Sequence, residues 1–198
     1  MADFFSSLQR TVIAGFVLAL LLFLLYLGML GFHPAFWAFL FRWLHIISGV
    51  MWIGLLWYFN FVQTPGMPKI PDEQKPAISK VIAPSALFWF RWAAMATIAT
   101  GWLLAFNNDY FWQAYTLDLI SHQGWSTMII GIGMWLGTIM WFNVWFIIWP
   151  NQKKILGFVE ATADAKKAAA RMAGMASRIN TMLSVPMLFC MAAASHLS

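Results

Sequence analysis

Residues Thr11–Phe32 form an unbroken apolar run without one charged side chain, and that run decides most of what this chain can be. A hydrocarbon core of about 30 Å is crossed by about 20 residues of α-helix, and helices satisfy their own backbone where water is absent. Composition extends the argument to the whole polypeptide. Of 198 residues, 62% are hydrophobic and 10% charged, where a soluble domain carries about 25% charged residues. Twelve Lys and Arg with seven Asp and Glu cannot cover a water-soluble globule of this length. A cytosolic enzyme domain, a nucleic-acid binder and a disordered tail are excluded. The expectation is an all-α, polytopic membrane helix bundle.

Five transmembrane helices are expected, in a single membrane domain over residues 1–198. The first, 11–32, is closed by Gly31, His33 and Pro34, lacks a small-residue cleavage signature and reads as a retained span. The apolar stretch from Ala35 to Val62 exceeds one perpendicular span. It divides into an interfacial segment, 35–41, and a second span, 42–63, broken by Thr64-Pro-Gly-Met-Pro68. A polar, proline-rich loop follows over Gly66–Pro84. The third span covers 85–106 and ends at Asn107-Asn108-Asp109; the fourth covers 125–149 and stops at Pro150. The Ala-rich, charged region 152–177 reads as a helix lying on the membrane face, and the last span covers 178–198.

The few charges orient these spans. Arg10, Lys69, Lys75, Lys80, Arg91, Lys153, Lys154, Lys166, Lys167, Arg171 and Arg178 fall on the side of the N-terminus, and Arg42 alone on the other. Basic residues collect on the cytoplasmic side, so the N-terminus is expected in the cytoplasm and the C-terminus in the periplasm, across a bacterial inner membrane. The formal charge of +5 then reflects topology. The basic face with Lys166, Lys167 and Arg171 meets anionic lipid of the bilayer.

This topology sends all four histidines toward the outer face. His33, in Gly-Phe-His-Pro, reads as a solvated loop residue, and His122 as a helix-start residue at the headgroups. His45 lies inside an apolar helix, between Leu44 and Ile46. His196 lies about 27 Å along the last helix from Arg178. No Asp or Glu falls within a predicted span, so these histidines are the main titratable groups of the outer half, apart from Asp109 and Asp118. Ionisable residues in spans are candidate functional groups. Arg42, Ser48 and Gly49 share a helix face with His45, as Ala192 and Ala193 do with His196.

A flat macrocycle needs small residues beside its ligands. His45 and His196 are therefore expected to hold one b-type haem, with Gly49, Ala192 and Ala193 leaving room and Arg42 balancing a propionate. His122 is the alternative ligand. Iron closed by two imidazoles suits electron transfer. Copper or zinc on the histidines and no cofactor at all remain open. In the latter case the small residues serve helix packing, as Gly133-x-x-x-Gly137 does. Cys190 is the single cysteine, so no disulfide, Cys-pair metal site or Cys-x-x-Cys-His haem attachment exists. Asn143, Asn180 and Pro186 read as interhelical bonds and a kink, and no nucleophile–base pair stands out.

These residues also carry a resemblance. Arg42-Trp-Leu-His-Ile-Ile-Ser-Gly-Val-Met-Trp-Ile-Gly54, the stretch Leu136–Gln152 ending in Trp-Pro-Asn-Gln, and Ser177-Arg-Ile-Asn-Thr-Met-Leu-Ser-Val-Pro-Met-Leu-Phe189 with Ser195-His196 resemble the membrane domain named for the N-terminal region of bacterial urate oxidases. The matches span about residues 40–198 with a weak middle. The resemblance implies a polytopic inner-membrane protein, linked to haem and often followed by a cytochrome c domain, which this chain is expected to lack. His45 and His196 match histidines of that family. Ile179 stands where the family usually has another, and a further one near Gly131 is absent, which puts urate chemistry and any four-histidine site in doubt.

Three functions follow. The first is a membrane cytochrome b passing electrons at the periplasmic face to a periplasmic cytochrome or a larger membrane complex. The second is a non-catalytic accessory subunit of a respiratory, photosynthetic or oxygenase complex. The third is a membrane oxidase of urate or a related small molecule. No catalytic residue is assigned in any of them.

Overall fold

The computed structural model of the chain describes residues 2–33, 35–122 and 124–196. Pro34, Gln123, Leu197 and Ser198, which fall in the first predicted loop, the His122 turn and the end of the last predicted span, lie outside the described residues. The backbone is helical, with no strand among the described residues. Among the described residues, four helices are long and apolar enough to cross a membrane: Leu8–Met29, Ala35–Lys69, Lys75–Asn107 and Trp125–Ile155. The chain divides into two compact units, Met1–Phe39 and Leu40–Ser198.

In the first unit, helix α1 (Leu8–Leu30) starts at Ser7, whose hydroxyl accepts the Arg10 N–H, and ends at Gly31, whose φ of 70° suits a residue without Cβ. Leu18, Leu20, Leu21, Leu22, Leu24 and Leu25 are exposed around the helix, as in a helix solvated by lipid. Beyond the turn, Phe36 packs on the Phe23 ring (centroids 4.1 Å apart) and near Tyr26.

The second unit is built from α2 (Ala35–Trp57, which begins in the first unit), α3 (Ala83–Asn107), the short α4 (Phe111–Tyr115), α5 (Trp125–Phe142) and α6 (Ala163–His196). Trp52, Leu56, Phe90, Met140 and Val144 are fully buried at its centre. Side-chain amides and hydroxyls join the helices. Asn143 Nδ2 donates to Asn180 Oδ1 (2.8 Å) and Asn180 Nδ2 to the Met140 carbonyl (2.9 Å). Trp57 Nε1 donates to Ser184 Oγ (2.9 Å), and Asn60 Nδ2 to Ser177 Oγ (2.8 Å). Such bonds replace water for polar groups inside a membrane.

Several predicted boundaries are corrected. Residues 35–41 are not a separate interfacial segment; they are the first turns of α2, which runs on without a break because nothing in Phe41-Arg42-Trp43 interrupts its hydrogen bonds. Nor do the prolines stop their helices. Each of Tyr58–Gln63, Ile78–Ile82 and Asn143–Ile148 is π-helical, and each ends just before a residue followed by proline. Thr64, Ala83 and Trp149 donate five residues back, to the carbonyls of Phe59, Ile78 and Val144. This wider turn eases the proline ring past the carbonyl it would strike in an α-helix. The chain therefore stays helical through Pro65, Pro84 and Pro150, and the predicted loop 66–84 shrinks to 70–74, where Lys75 pairs with Asp72.

The predicted surface helix and last span are likewise one element. Residues 152–155 finish the fourth long helix, and Gly157 (φ 81°) turns the chain. Thr162 then caps α6 by accepting the Ala165 N–H. The 34 residues of α6 extend for about 51 Å. The Ala-rich stretch 163–177 carries helical propensity straight into 178–196, with no proline between them.

Candidate functional site

Within the second unit, consecutive long helices alternate in direction. The connections 70–74 and 156–162, flanked by Lys69, Lys75 and Lys80 and by Lys153, Lys154, Lys166 and Lys167, form a basic end; the His45 turn of α2, the connection between α3 and α5 and the end of α6 form a histidine end.

His45 is held by α3. Its Nδ1 lies 2.8 Å from the Thr97 carbonyl oxygen. A carbonyl can only accept, so Nδ1 carries the proton and Nε2 the lone pair. The ring rests where α3 has Gly101: a Cβ there would come 2.8 Å from His45 Cε1 and 2.9 Å from Nδ1. Gly49, one turn further along α2, faces the Thr97 methyl at 3.9 Å from its own Cβ position, so its small size lets α2 approach α3. Arg42, exposed one turn before His45, bears on Tyr110 of the connecting segment. Burial pushes the Tyr110 phenol above its ordinary value, and the Arg42 charge partly offsets this.

His196 bonds within α6. Its Nδ1 lies 2.9 Å from the Ala192 carbonyl, four residues back, and the residue is exposed. The small residues beside it divide. Ala193 is buried with Ile129 and Cys190, against α5, whereas Ala192 is exposed. The same interface brings Gly133 so close that its Cβ position is 3.0 Å from Cys190 Cβ, and Ser126 Oγ donates to the Ala194 carbonyl.

One register relation links the two predicted ligands. Trp57 of α2 and Ser184 of α6 are hydrogen-bonded. His45 lies twelve residues before Trp57 and His196 twelve residues beyond Ser184, on helices running in opposite directions. Each histidine is thus about 18 Å along its helix from the shared bond. Among the described residues no hydrogen bond joins the two rings; one is bound to α3 and the other to its own helix.

The remaining histidines have local work. His33 is exposed in the turn before α2, as expected of a solvated loop residue, and its imidazole Nδ1 accepts the Ala35 N–H at the start of α2. His122 has a left-handed backbone (φ 50°) in a connection where Asp109, Leu117 and Asp118 also have positive φ. The buried Asp118 carboxylate organises this turn by accepting from Ser121 Oγ and the Gly124 N–H. No group of three or more His, Cys, Asp or Glu that could hold a metal ion occurs among the described residues.

Thr97 and Gly101 are the functional neighbours that sequence reasoning missed. Their spacing of four within an apolar helix, polar then small, is a signal for close helix approach. A second omission is the directed chain from Trp102 Nε1 to Tyr115 Oη (2.7 Å), on to Thr138 Oγ1 (2.7 Å) and then to the Met134 carbonyl (2.8 Å). Nearby, Gly131 meets the backbone of α4: a Cβ there would lie 2.0 Å from the Ala114 carbonyl oxygen. Position 131 is therefore closed to any side chain, histidine included, while Ile179 is exposed on α6.

These features define an α-helical bundle of membrane-spanning character. Residues 120–198, covering α5 and α6, match the urate oxidase N-terminal family model. No curated protein and no solved structure matches the chain.

Proposed function

We propose that this chain is a multi-pass protein of a bacterial inner membrane that holds one b-type haem between His45 and His196 and transfers electrons at the periplasmic face. The observation that carries this reading is the shared level of the two histidines above the Trp57–Ser184 bond. It is reinforced by the protonated Nδ1 of His45, fixed on a backbone carbonyl, which leaves Nε2 as the ligating nitrogen. Metal-binding histidines are ordinarily oriented in this way. A haem held by two imidazoles supplies one-electron chemistry. The protein's own part is to fix the His45 tautomer through Thr97, to keep the ring in place against Gly101, and to set the Arg42 charge one turn outward, where it balances a propionate. One haem near one face does not span about 30 Å of hydrocarbon, so a periplasmic cytochrome or a larger membrane complex completes the path. The excess of lysine and arginine at the opposite end accords with a cytoplasmic position for that end.

A second reading has its own support. The Gly101 notch and the Thr97 bond also make His45 a clasp between α2 and α3, which an accessory subunit without cofactor would need equally. A reduced-minus-oxidised spectrum of the purified protein separates the two. Haem bands that vanish in His45→Ala and His196→Ala but persist in His122→Ala are expected. A protein purified under haem-sufficient expression without such bands is the accessory subunit.

A further inference from the structure

A cleft of about 630 Å³ opens at the basic end, away from the histidines, between α6 and the turns that follow α2. Its α6 wall carries Arg171, Gly174, Arg178 and Met182, which share one face of the helix at steps of three and four residues. The opposite wall supplies Asn60 and Thr64, from the π-helical turn and the residue after it. Neither arginine forms an ion pair among the described residues, where Lys75–Asp72 is the one such pair. Asn60 Nδ2 is already committed to Ser177 Oγ and the Leu56 carbonyl, which fixes Asn60 and Ser177 in the cleft wall. Both arginines line the cleft and are exposed, and the space beside Gly174 is empty, with nothing within 4 Å of its Cβ position.

We propose that this cleft binds the phosphate of an anionic phospholipid, with Arg171 and Arg178 clamping the headgroup. Two guanidinium groups, with the Thr64 and Ser177 hydroxyls in the same lining, match a phosphodiester. What selects a lipid over a free phosphate is the gradient along the same helix. Past Arg178, toward the histidine end, α6 exposes Met182, Val185 and Phe189, each more than half exposed. The cations thus lie at headgroup level and the apolar side chains where acyl chains run. Juxtamembrane cations attract anionic lipid in general; here a shaped cleft with a wall fixed by the Asn60–Ser177 bond turns that attraction into a saturable site.

The test is native mass spectrometry of the full chain released from zwitterionic detergent, titrated with phosphatidylglycerol, with phosphatidylcholine, diacylglycerol and inorganic phosphate as comparison ligands. One saturating phosphatidylglycerol, at least tenfold weaker in Arg171→Gln/Arg178→Gln, is expected. Lys80→Gln/Lys154→Gln, which removes the same charge elsewhere at the basic end, is expected to bind within twofold of the parent. Gly174→Trp keeps both arginines and fills the cleft, so it is expected to lose the lipid while keeping the helical circular-dichroism signal. An equal loss in the lysine variant, unsaturable binding, or unchanged binding in Gly174→Trp overturns the site. Equal affinity for inorganic phosphate overturns its assignment to a lipid.

Discussion

The two ends of the helical bundle hold together by different means. Toward the basic end, helices are stitched by side-chain hydrogen bonds: Trp57 to Ser184, Asn60 to Ser177, and Asn143 to Asn180 to the Met140 carbonyl. Its helices pass three prolines on π-helical turns and leave an open, cationic cleft. Toward the histidine end, backbones and rings approach at glycines: Gly101 under His45, Gly131 under Ala114, Gly133 under Cys190. The lesson is that both ends rely on hydrogen bonds between elements, while close glycine contacts make the histidine end the one that added bulk breaks.

The largest effect is expected at Gly131. In Gly131→Ala the new Cβ meets a backbone carbonyl, which cannot swing aside like a side chain, so α4 must lift from α5. Overpacking of this kind costs about 3 kcal/mol. The check is thermal unfolding in detergent, with Gly137→Ala on the same helix as control. Nothing lies within 4 Å of the Gly137 Cβ position, so this control is expected to be neutral or stabilising. Equal melting temperatures for the two variants would remove the close approach of α4 from the account.

Gly101→Ala comes next, at about 2 kcal/mol, because the His45 ring must leave the notch and the Thr97 carbonyl. The sharper measurement is a double-mutant cycle. In a His45→Ala background the same Gly101→Ala change is expected to cost almost nothing, since the ring it would strike is gone. Additive costs would show that His45 does not occupy the notch.

At the basic end the corresponding break removes polarity. Asn180→Leu is close in volume but strands the buried Asn143 amide and the Met140 carbonyl. Interhelical bonds in membranes contribute about 0.6 kcal/mol on average and about 1.7 at most, and a stranded buried group adds to the loss. A cost of about 1 to 2 kcal/mol in the same unfolding assay is expected. Asn143→Leu/Asn180→Leu, with neither amide present, is expected to be less destabilised than Asn180→Leu. A double variant that falls further would mean the two residues are not partners.

The sequence reveals the contrast between the ends only in part. Apolar runs and the segregation of Lys and Arg are enough to read the helical class and the two ends, because both depend on composition over windows of about 20 residues. His45 stands out for the same reason, as a polar side chain in an apolar run. Helix ends are misread at Pro65, Pro84 and Pro150, since a local rule for proline does not see the π-helical turn that precedes each one. The fusion of 152–177 with 178–196 is hidden by their change in charge, which helix propensity ignores. Thr97, Gly101 and Gly131 matter through distances to other helices; the spacing of Thr97 and Gly101 signals a close approach but not that His45 fills it. The same holds for Arg171 and Arg178, which charge segregation assigns to a cytoplasmic face without the Asn60 wall that makes a cleft of it.

The smallest effect concerns Arg42, which sequence reading places beside His45 and which also acts on Tyr110. Burial disfavours the Tyr110 phenolate and raises its pKa; the Arg42 cation favours the phenolate and lowers it. Because burial dominates, the folded phenol holds its proton more tightly than an unfolded one. Its contribution to stability is therefore intact below about pH 10 and falls as pH rises through the folded value. Arg42→Gln removes only the lowering influence, so Tyr110 is expected to ionise at still higher pH and the alkaline loss of stability to deepen. Near-ultraviolet phenolate absorbance, with the trace of Tyr110→Phe subtracted in each background, isolates this one group from Tyr26, Tyr58 and Tyr115. A Tyr110 titration that stays in place, or moves down, would mean that Arg42 does not face the 108–124 connection.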